Sequence, residues 1–573
     1  MAKKIEAVKL PGIRKATPKV PVIGVFATSD PRIDTDSRKR CQNIARMAAE
    51  TISGAVVLPD KTPVPVVYSD VLVDSEPTAD IVAQQFRRAG VDILVCVPDT
   101  WAFPQLTGIS LLQQFPSNTP LNITCGNSGP RPGVVYAHAL SGAIAQYGRL
   151  VSLNVGTWPD TGLNPQMTEQ TAKNLIDWCY SAVATVALRG RRVVILGHDS
   201  MGMETALAHV LPTRNTFGIE ITRLDMKLLA DMLAKGAYDK KELAALRAWV
   251  DKYVGKRLEL RDEADSERFN QSLAMYLIVR DLMADLNAVG GGFMSQLEWG
   301  SDTRGVPLPV ADTMESLFNS TFDHNGPKPA QPYATEADVQ GLLTMLFMTY
   351  LSGGNPPLFM DFRKVWEPWE IQALAKSLKV KFTGKELWAQ RGLVDGDNSG
   401  SASFDWANKP GSSVKAVMDG VSMPLADPGY FPGGGNSVTF MTPPGIEGIA
   451  ARLAYSSVCG LFSFIWDEAV TTDVPAELGR AMCNLTTPTW PHTFVVPKYA
   501  TMVEYKQYPP ANHFHMTWNL PVARVQHWMD LTGVLSVAPW AARPKFIEGV
   551  DRPQPLVHLI NGGQDMFKLL GRR

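Results

Sequence analysis

The chain has 573 residues, 45% hydrophobic and 19% charged, with 55 basic against 56 acidic side chains and a formal charge of −1. That length is too great for one core and suits about two to four domains, and the composition is that of a globular rather than a disordered chain. The balanced charge gives no electrostatic case for a nucleic-acid partner or an anionic membrane surface.

The opening M-A-K-K-I-E-A-V-K-L-P lacks the apolar stretch of a secretory signal. The longest uncharged apolar run of note, 453–466, follows Arg452 and is too short to span a bilayer. The six cysteines are scattered without a C-x-x-C pair, and Cys96 sits in an apolar strand pattern. Reduced, buried thiols are the expectation, rather than disulfides or a zinc site, in a cytoplasmic protein without membrane contact.

Residues 1–20 read as a polar arm containing Lys and Pro. Apolar strands are then expected at 21–27, 55–59, 91–97, 121–125 and near 150–153. Helices alternate with them at 36–52, 78–90, 105–114 and 134–147. Near-continuous apolar strands alternating with helices imply a parallel sheet covered on both faces. This gives a doubly wound α/β domain over 1–165.

The pattern restarts with a helix at 168–188 and a strand at 191–196. The turn G-H-D-S-M-G at 197–202 lacks a phosphate-loop pattern, so no nucleotide site is expected there. Residues 226–262 read as a charged helical face. The stretch 266–288 reads as a helix with Phe269, Leu273, Tyr276 and Leu277 on one side, ended by the glycines at 290–292. A second doubly wound α/β domain over 166–335 follows. From 336 to 573 glycine, proline, tryptophan and short strands predict a mixed, largely β C-terminal domain.

Two acids stand where that texture changes. Thr335 followed by Asp338 has capping-box spacing, and apolar residues recur from Val339 through Leu342, Leu343, Leu346, Phe347 and Tyr350 to Leu351. Glu336 would open this helix, which Gly353, Gly354 and the prolines 356 and 357 stop. A short apolar strand at 357–360 would be closed by Asp361, where open α/β sheets place their ligands. The plain alternatives are an acid complementing a helix dipole and an Asp making a turn. Far downstream, A-N-H-F-H-M (511–516) would set His513 and His515 on one face of a strand. Two carboxylates and one imidazole suit a divalent ion such as Mn²⁺, although a lone histidine also serves structure alone.

Further strings bear on function: R-P-G-V-V-Y-A (131–137), D-S-M-G (199–202), S-T-F-D-H-N-G (320–326), A-T-E-A-D (334–338), F-M-D-F-R (359–363), N-S-G-S-A (398–402), Y-F-P-G-G-G (430–435), T-W-P-H-T (489–493) and A-N-H (511–513). In these strings and in their order, the chain from about residue 20 onward resembles the L-fucose isomerase family of bacterial aldose–ketose isomerases. The resemblance implies two N-terminal α/β domains, a C-terminal domain and a homohexamer. It implies conversion of L-fucose to L-fuculose and of D-arabinose to D-ribulose through an ene-diol. It implies Mn²⁺ held by Glu336, Asp361 and His513, with the two carboxylates also catalytic. His515 is the rival ligand, but the family's motif histidine directly follows the asparagine, which is Asn512 here.

The sugar contacts implied by the same resemblance are Gln296, Tyr430, Trp490, Asn512, Ser399 (with Ser401 as its alternative), Arg32 and Trp101. Trp101 departs from the family pattern, standing three residues after Pro98 instead of two. The competing readings are a sister isomerase of other specificity, such as one for L-arabinose, and a non-catalytic sugar-binding protein. The latter needs no metal carboxylates and ordinarily carries a signal peptide.

Overall fold

Strands β1 (Val22–Phe26), β2 (Val66–Tyr68), β3 (Val91–Cys96), β4 (Leu121–Gly126) and β5 (Ser152–Gly156) form a parallel sheet in the order β2-β1-β3-β4-β5. The central strands β1, β3 and β4 are buried along almost their whole length, as helices on both faces require. The second strand is not the expected 55–59. There Val57 makes only an isolated bridge to Pro63, because the chain reverses through a turn with Lys61 at φ 67°. The pairing strand comes later, at Val66–Tyr68. The computed structural model describes residues 20–537 except 129, 159–161, 199–201, 295–307, 399–401, 458–459 and 508–510.

This sheet belongs to a compact unit of Lys19–Arg189 together with Pro521–Gly533. The sequence reading opened the second domain with the helix Glu169–Ala187, yet that helix packs in the first unit against the helix Val522–Thr532. Arg524 fixes the contact, with Nε 2.7 Å from Asp177 Oδ1 and its guanidinium 3.6 Å from the Tyr180 ring centre. The partners lie more than 300 positions apart in the chain, so helical periodicity could not announce the packing.

The other unit is built on Gly190–Leu520. Its first sheet contains β6 (Arg192–Leu196), β7 (Glu220–Leu224) and β8 (Ala288–Phe293). A two-stranded ribbon, β9 (Phe322–Asp323) with β10 (Gly326–Pro327), precedes β11 (Tyr333–Ala334). The parallel order is β11-β8-β6-β7. The glycines at 290–292 do not end a helix, as expected from sequence, but lie inside β8. A Cβ on Gly290 would stand 2.7 Å from the Pro332 carbonyl oxygen, and one on Gly291 2.7 Å from the Tyr333 ring. The missing side chains are what allow β11 to pair so closely.

The C-terminal strands are β12 (Leu358–Trp366), β13 (Leu393–Asp397), β14 (Glu447–Ser456), β15 (Leu461–Thr471), β16 (His492–Pro497), β17 (His513–Trp518) and β18 (Leu535–Val537). They pair in the order β14-β17-β12-β13-β16-β15, and β14 pairs again with β15, so the antiparallel ring closes into a barrel. Only β18 is parallel among these strands, lying along β15. The barrel encloses Met360, Phe362, Val394, Val495 and Phe514. Strand alternation turns Asp361 and His513 to the opposite face, where the helix Val339–Leu351 packs on β14 and β17. No described helix is long and apolar enough to cross a membrane.

The buried helix Asp312–Asn319 makes a stability prediction. Burial pushes the Asp312 carboxyl up to about 7, outweighing the pull of the Ser437 hydroxyl and the Val438 N–H in the other direction. The folded-state value exceeds the ordinary 3.8, so the ionised form opposes folding and stability rises as pH falls from about 7 towards 4. Asp312→Asn removes the ionisation and should stabilise the protein at pH 8 by on the order of 4 kcal/mol, a gain that vanishes near pH 4. Denaturant unfolding of both proteins at the two pH values measures it.

Candidate active site

Glu336 follows β11 directly, at the carboxyl ends of the parallel strands, where open α/β sheets bind their ligands. The sequence reading gave that position to Asp361 and placed Glu336 in the first turn of a helix. The helix instead runs Val339–Leu351 and is capped by Asp338, whose Oδ1 accepts the Gly341 N–H at 2.8 Å. Glu336 lies in a tight turn before it, at φ 57° and ψ 20°, and Ala337 follows at φ 52°. Two successive left-handed residues other than glycine cost roughly 1–2 kcal/mol each. That strain turns the chain sharply between sheet and helix and aims the Glu336 carboxylate at the barrel.

Asp361 does not close a strand. It lies inside β12, paired with His513 on β17 and with Asp397 on β13. The strand continues to Trp366 past a register shift between Phe362 and Lys364 that skips Arg363. The apolar-run rule stopped the strand at its first polar residue, but an antiparallel barrel tolerates polar side chains on its outer face. Asp397 pairs in turn with His492, so His513, Asp361, Asp397 and His492 form one row across four adjacent strands.

The three residues expected to hold a metal converge. His513 Nε2 lies 3.1 Å from Glu336 Oε2 and 3.2 Å from Asp361 Oδ1. Nε2 is buried and makes no hydrogen bond of good geometry with either. The other ring nitrogen, Nδ1, is 2.8 Å from Asp338 Oδ2. Arg452 grips both Asp338 oxygens, at 2.5 and 3.0 Å, with the two side chains wholly buried. Burial works against a proton on His513, but the charge of Asp361, the hydrogen bond to Asp338 and the close carboxylates of Asp361 and Glu336 outweigh it and hold the imidazole well above its ordinary range. Burial likewise opposes ionisation of Asp338, and the charge of Arg452 with the His513 hydrogen bond reverses this.

His515, the rival ligand, faces elsewhere. Its Nε2 lies 3.1 Å from Arg452 Nη1, and burial together with the Arg452 charge keeps the ring well below its ordinary pKa. A neutral ring beside a guanidinium serves as its acceptor.

The sequence reading missed Arg452 and the true part played by Asp338. One signal was available, a single arginine inside the apolar strand pattern A-A-R-L-A. Asn398, whose Nδ2 donates to Asp361 Oδ2 at 2.9 Å, was hidden within a string read only for its serines.

The expected sugar contacts distribute as follows. Asn512 Nδ2 reaches Asp361 Oδ1 at 3.5 Å, and its Oδ1 accepts from Thr205 Oγ1 at 3.4 Å. Tyr430, exposed, packs on buried Trp490 with ring centres 5.3 Å apart. Arg363, two residues from Asp361 on β12, holds its guanidinium 5.9 Å from the Trp490 ring centre and so links the aromatic pair to the carboxylate strand. Arg32 and Trp101 belong to the first unit. There Asp30 holds Arg32 through two bonds of 2.8 and 2.6 Å, while Trp101 packs edge-on against Phe103 and Tyr136. Gln296, Ser399 and Ser401 lie outside the described residues.

Two adjoining family models match the chain, those of the first N-terminal domain of L-fucose isomerase over residues 20–190 and of the second over 191–353. Together they span more than half of it.

The chain belongs to the L-fucose isomerase family.

Curated family members extend the match into the barrel. A protein of Phocaeicola vulgatus named L-fucose isomerase is 27% identical over 529 residues, covering 84% of this chain and 86% of its own. The Bacteroides thetaiotaomicron protein of the same name is 26% identical over 543 residues, with 85% and 87% covered. That of Streptococcus pneumoniae is 26% identical over 518 residues, with 83% and 85% covered.

Proposed function

We propose that this chain, an aldose–ketose isomerase by family, interconverts L-fucose with L-fuculose and D-arabinose with D-ribulose, using Mn²⁺ held by Glu336, Asp361 and His513. The carrying observation is the meeting of two carboxylate oxygens on the buried, hydrogen-bond-orphaned Nε2 of His513. Among the described residues no trio of His, Cys, Asp and Glu side chains is spread as around a bound ion. The chemistry of the donors nonetheless fits one. Glu336, Asp361 and Asp338 gather three carboxylates around the His513 ring, an acidic surrounding that favours a divalent cation. Oxygen and imidazole donors together suit an ion such as Mn²⁺. When bound, such an ion supplies Lewis-acid stabilisation of negative charge on the sugar oxygens.

Moving a carbonyl between C1 and C2 removes a proton from one carbon and delivers a proton to the other. Glu336 approaches from the end of the parallel sheet and Asp361 from the barrel wall, so each carboxylate reaches the shared point from its own side. One takes the proton from one carbon while the other, already protonated, delivers its own proton to the neighbouring carbon, and an ene-diol of the sugar lies between. The reverse reaction exchanges their roles. Asn512 and Asn398 hold the Asp361 carboxylate by its two oxygens, which leaves it little freedom to rotate. Tyr430 and Trp490 offer faces for the apolar side of a sugar ring, and Arg363 beside them offers donors to its hydroxyls. Gln296, Ser399, Arg32 and Trp101 complete the proposed sugar contacts, and the proposed assembly is a cytoplasmic homohexamer.

The test is a ketose-formation assay on L-fucose, D-arabinose and L-arabinose, with and without Mn²⁺. Turnover of the first two with Mn²⁺ is expected. Turnover of L-arabinose alone would move the protein to the sister specificity, and tight sugar binding without any ketose would make it a receptor.

A further inference from the structure

Behind His513 lies a buried polar chain that takes no part in moving the sugar's protons. Asp338 accepts from His513 Nδ1 at 2.8 Å, and Arg452 engages both of its oxygens. The second terminal nitrogen of Arg452 also donates to the Thr205 carbonyl at 2.6 Å, and the first reaches His515 Nε2 at 3.1 Å. Asp338, Arg452 and His515 are all fully buried.

The helix backbone comes unusually close to this group. A Cβ on Gly341 would stand 2.5 Å from Asp338 Oδ2, 2.8 Å from Arg452 Nη1 and 2.8 Å from His515 Nε2. The first turn of the helix Val339–Leu351 therefore has room for no side chain at this position.

We propose that Asp338, clamped by Arg452 and given room by Gly341, is a positioning residue that fixes which ring nitrogen of His513 faces Glu336 and Asp361, and thereby sets the affinity of the site for a divalent cation. An imidazole whose Nδ1–H is committed to a carboxylate has its Nε2 lone pair as the one remaining donor to a metal, and its ring plane is fixed by the same bond. Arg452 makes the device rigid. Both Asp338 oxygens are engaged from behind, so the carboxylate cannot swing to Glu336's side of the ring. His515 stands 3.1 Å from Arg452 Nη1 through its Nε2, so this second histidine on the same strand face is occupied with the guanidinium and takes no ligand position. The inference rests on Glu336, Asp361 and His513 being the cation's ligands.

A buried ion pair with a purely structural role can be exchanged for apolar side chains of similar volume without touching a neighbouring binding site. That sets the experiment. Mn²⁺ binding is followed by electron paramagnetic resonance for the parent chain, for the double variant Asp338→Leu/Arg452→Met, and for Gly341→Ala. Thermal melts without metal are recorded alongside. The parent is expected to bind one Mn²⁺ per chain at the site. The double variant loses the Asp338 cap on the Gly341 N–H, so it should fold with a lowered melting temperature and bind Mn²⁺ about 10- to 100-fold more weakly, the range for losing the outer partner of a ligating histidine. Gly341→Ala adds one methyl group, removes no charge and should weaken binding in the same direction.

Parent-like Mn²⁺ affinity in a folded double variant would overturn the proposal. If the double variant does not fold, Gly341→Ala decides alone, and parent-like affinity there has the same meaning. A parent chain that binds no Mn²⁺ would instead remove the ligand assignment itself, and the proposal with it. The two failures are told apart by the parent measurement.

Discussion

Glu336→Gln and Asp361→Asn should each lower kcat by roughly 100-fold or more at saturating Mn²⁺, the range for removing a positioned acid–base group. Each change keeps the shape of the side chain and removes its charge together with its ability to exchange a proton at neutral pH, and saturating Mn²⁺ offsets the weakened ligand. Neither variant should lose its fold. The Glu336 side chain is 12% exposed and that of Asp361 21%, and both stand in a site crowded with carboxylates. Removing one charge relieves repulsion, so the metal-free melting temperature should hold or rise. A variant that melts normally and turns over like the parent would remove that residue from the chemistry. Running the reaction in deuterium oxide gives a second readout. Proton transfer through an ene-diol carries solvent deuterium onto the product carbon, and its rate of entry should fall with kcat in both variants. Product formed without deuterium would point to a direct hydride shift between the carbons, in which neither carboxylate needs to exchange a proton.

Much of this site was legible as sequence, and the pieces that were not share a cause. The strand and helix alternation up to about residue 290 follows from short apolar runs and 3.6-residue periodicity, both local signals. The closed barrel is different. Its ring depends on β14 pairing with both β17 and β15, and on β12 lying between β17 and β13, and no local pattern encodes which strand neighbours which. The barrel also hides its strands, because its outer face accepts Asp361, Asp397, His492 and His513 where an apolar-run rule sees breaks.

The backbone exchanges the places that the sequence pattern gives to Glu336 and Asp361. The sheet-end position belongs to Glu336, and Asp361 sits mid-strand. Capping-box spacing puts the helix start at Thr335, ahead of its true cap, and gives Asp338 a helper's part, when its side chain both caps the helix and meets His513. Such double use leaves no trace in spacing. Arg452 could have been noticed, since a lone arginine within an apolar strand must find a buried anion, but the sequence does not name that anion.

Removal of the metal should abolish turnover, and added Mn²⁺ should restore it. The reason lies in the donors around His513. The carboxylates of Glu336 and Asp361 meet its Nε2, and oxygen with imidazole nitrogen is a donor set that a divalent cation takes. Chelation with EDTA followed by desalting should leave a folded, inactive protein. Adding Mn²⁺ at a hundred times its dissociation constant should stabilise the fold by about 2.7 kcal/mol, seen as a raised melting temperature even without sugar. His513→Leu keeps a side chain of moderate size between the two carboxylates and removes the nitrogen donor. It should lose both the Mn²⁺-dependent rise in melting temperature and all measurable turnover. Full activity in chelated, metal-free protein would show that the carboxylates work without a cation. An undiminished Mn²⁺ effect in His513→Leu would show that the cation binds elsewhere.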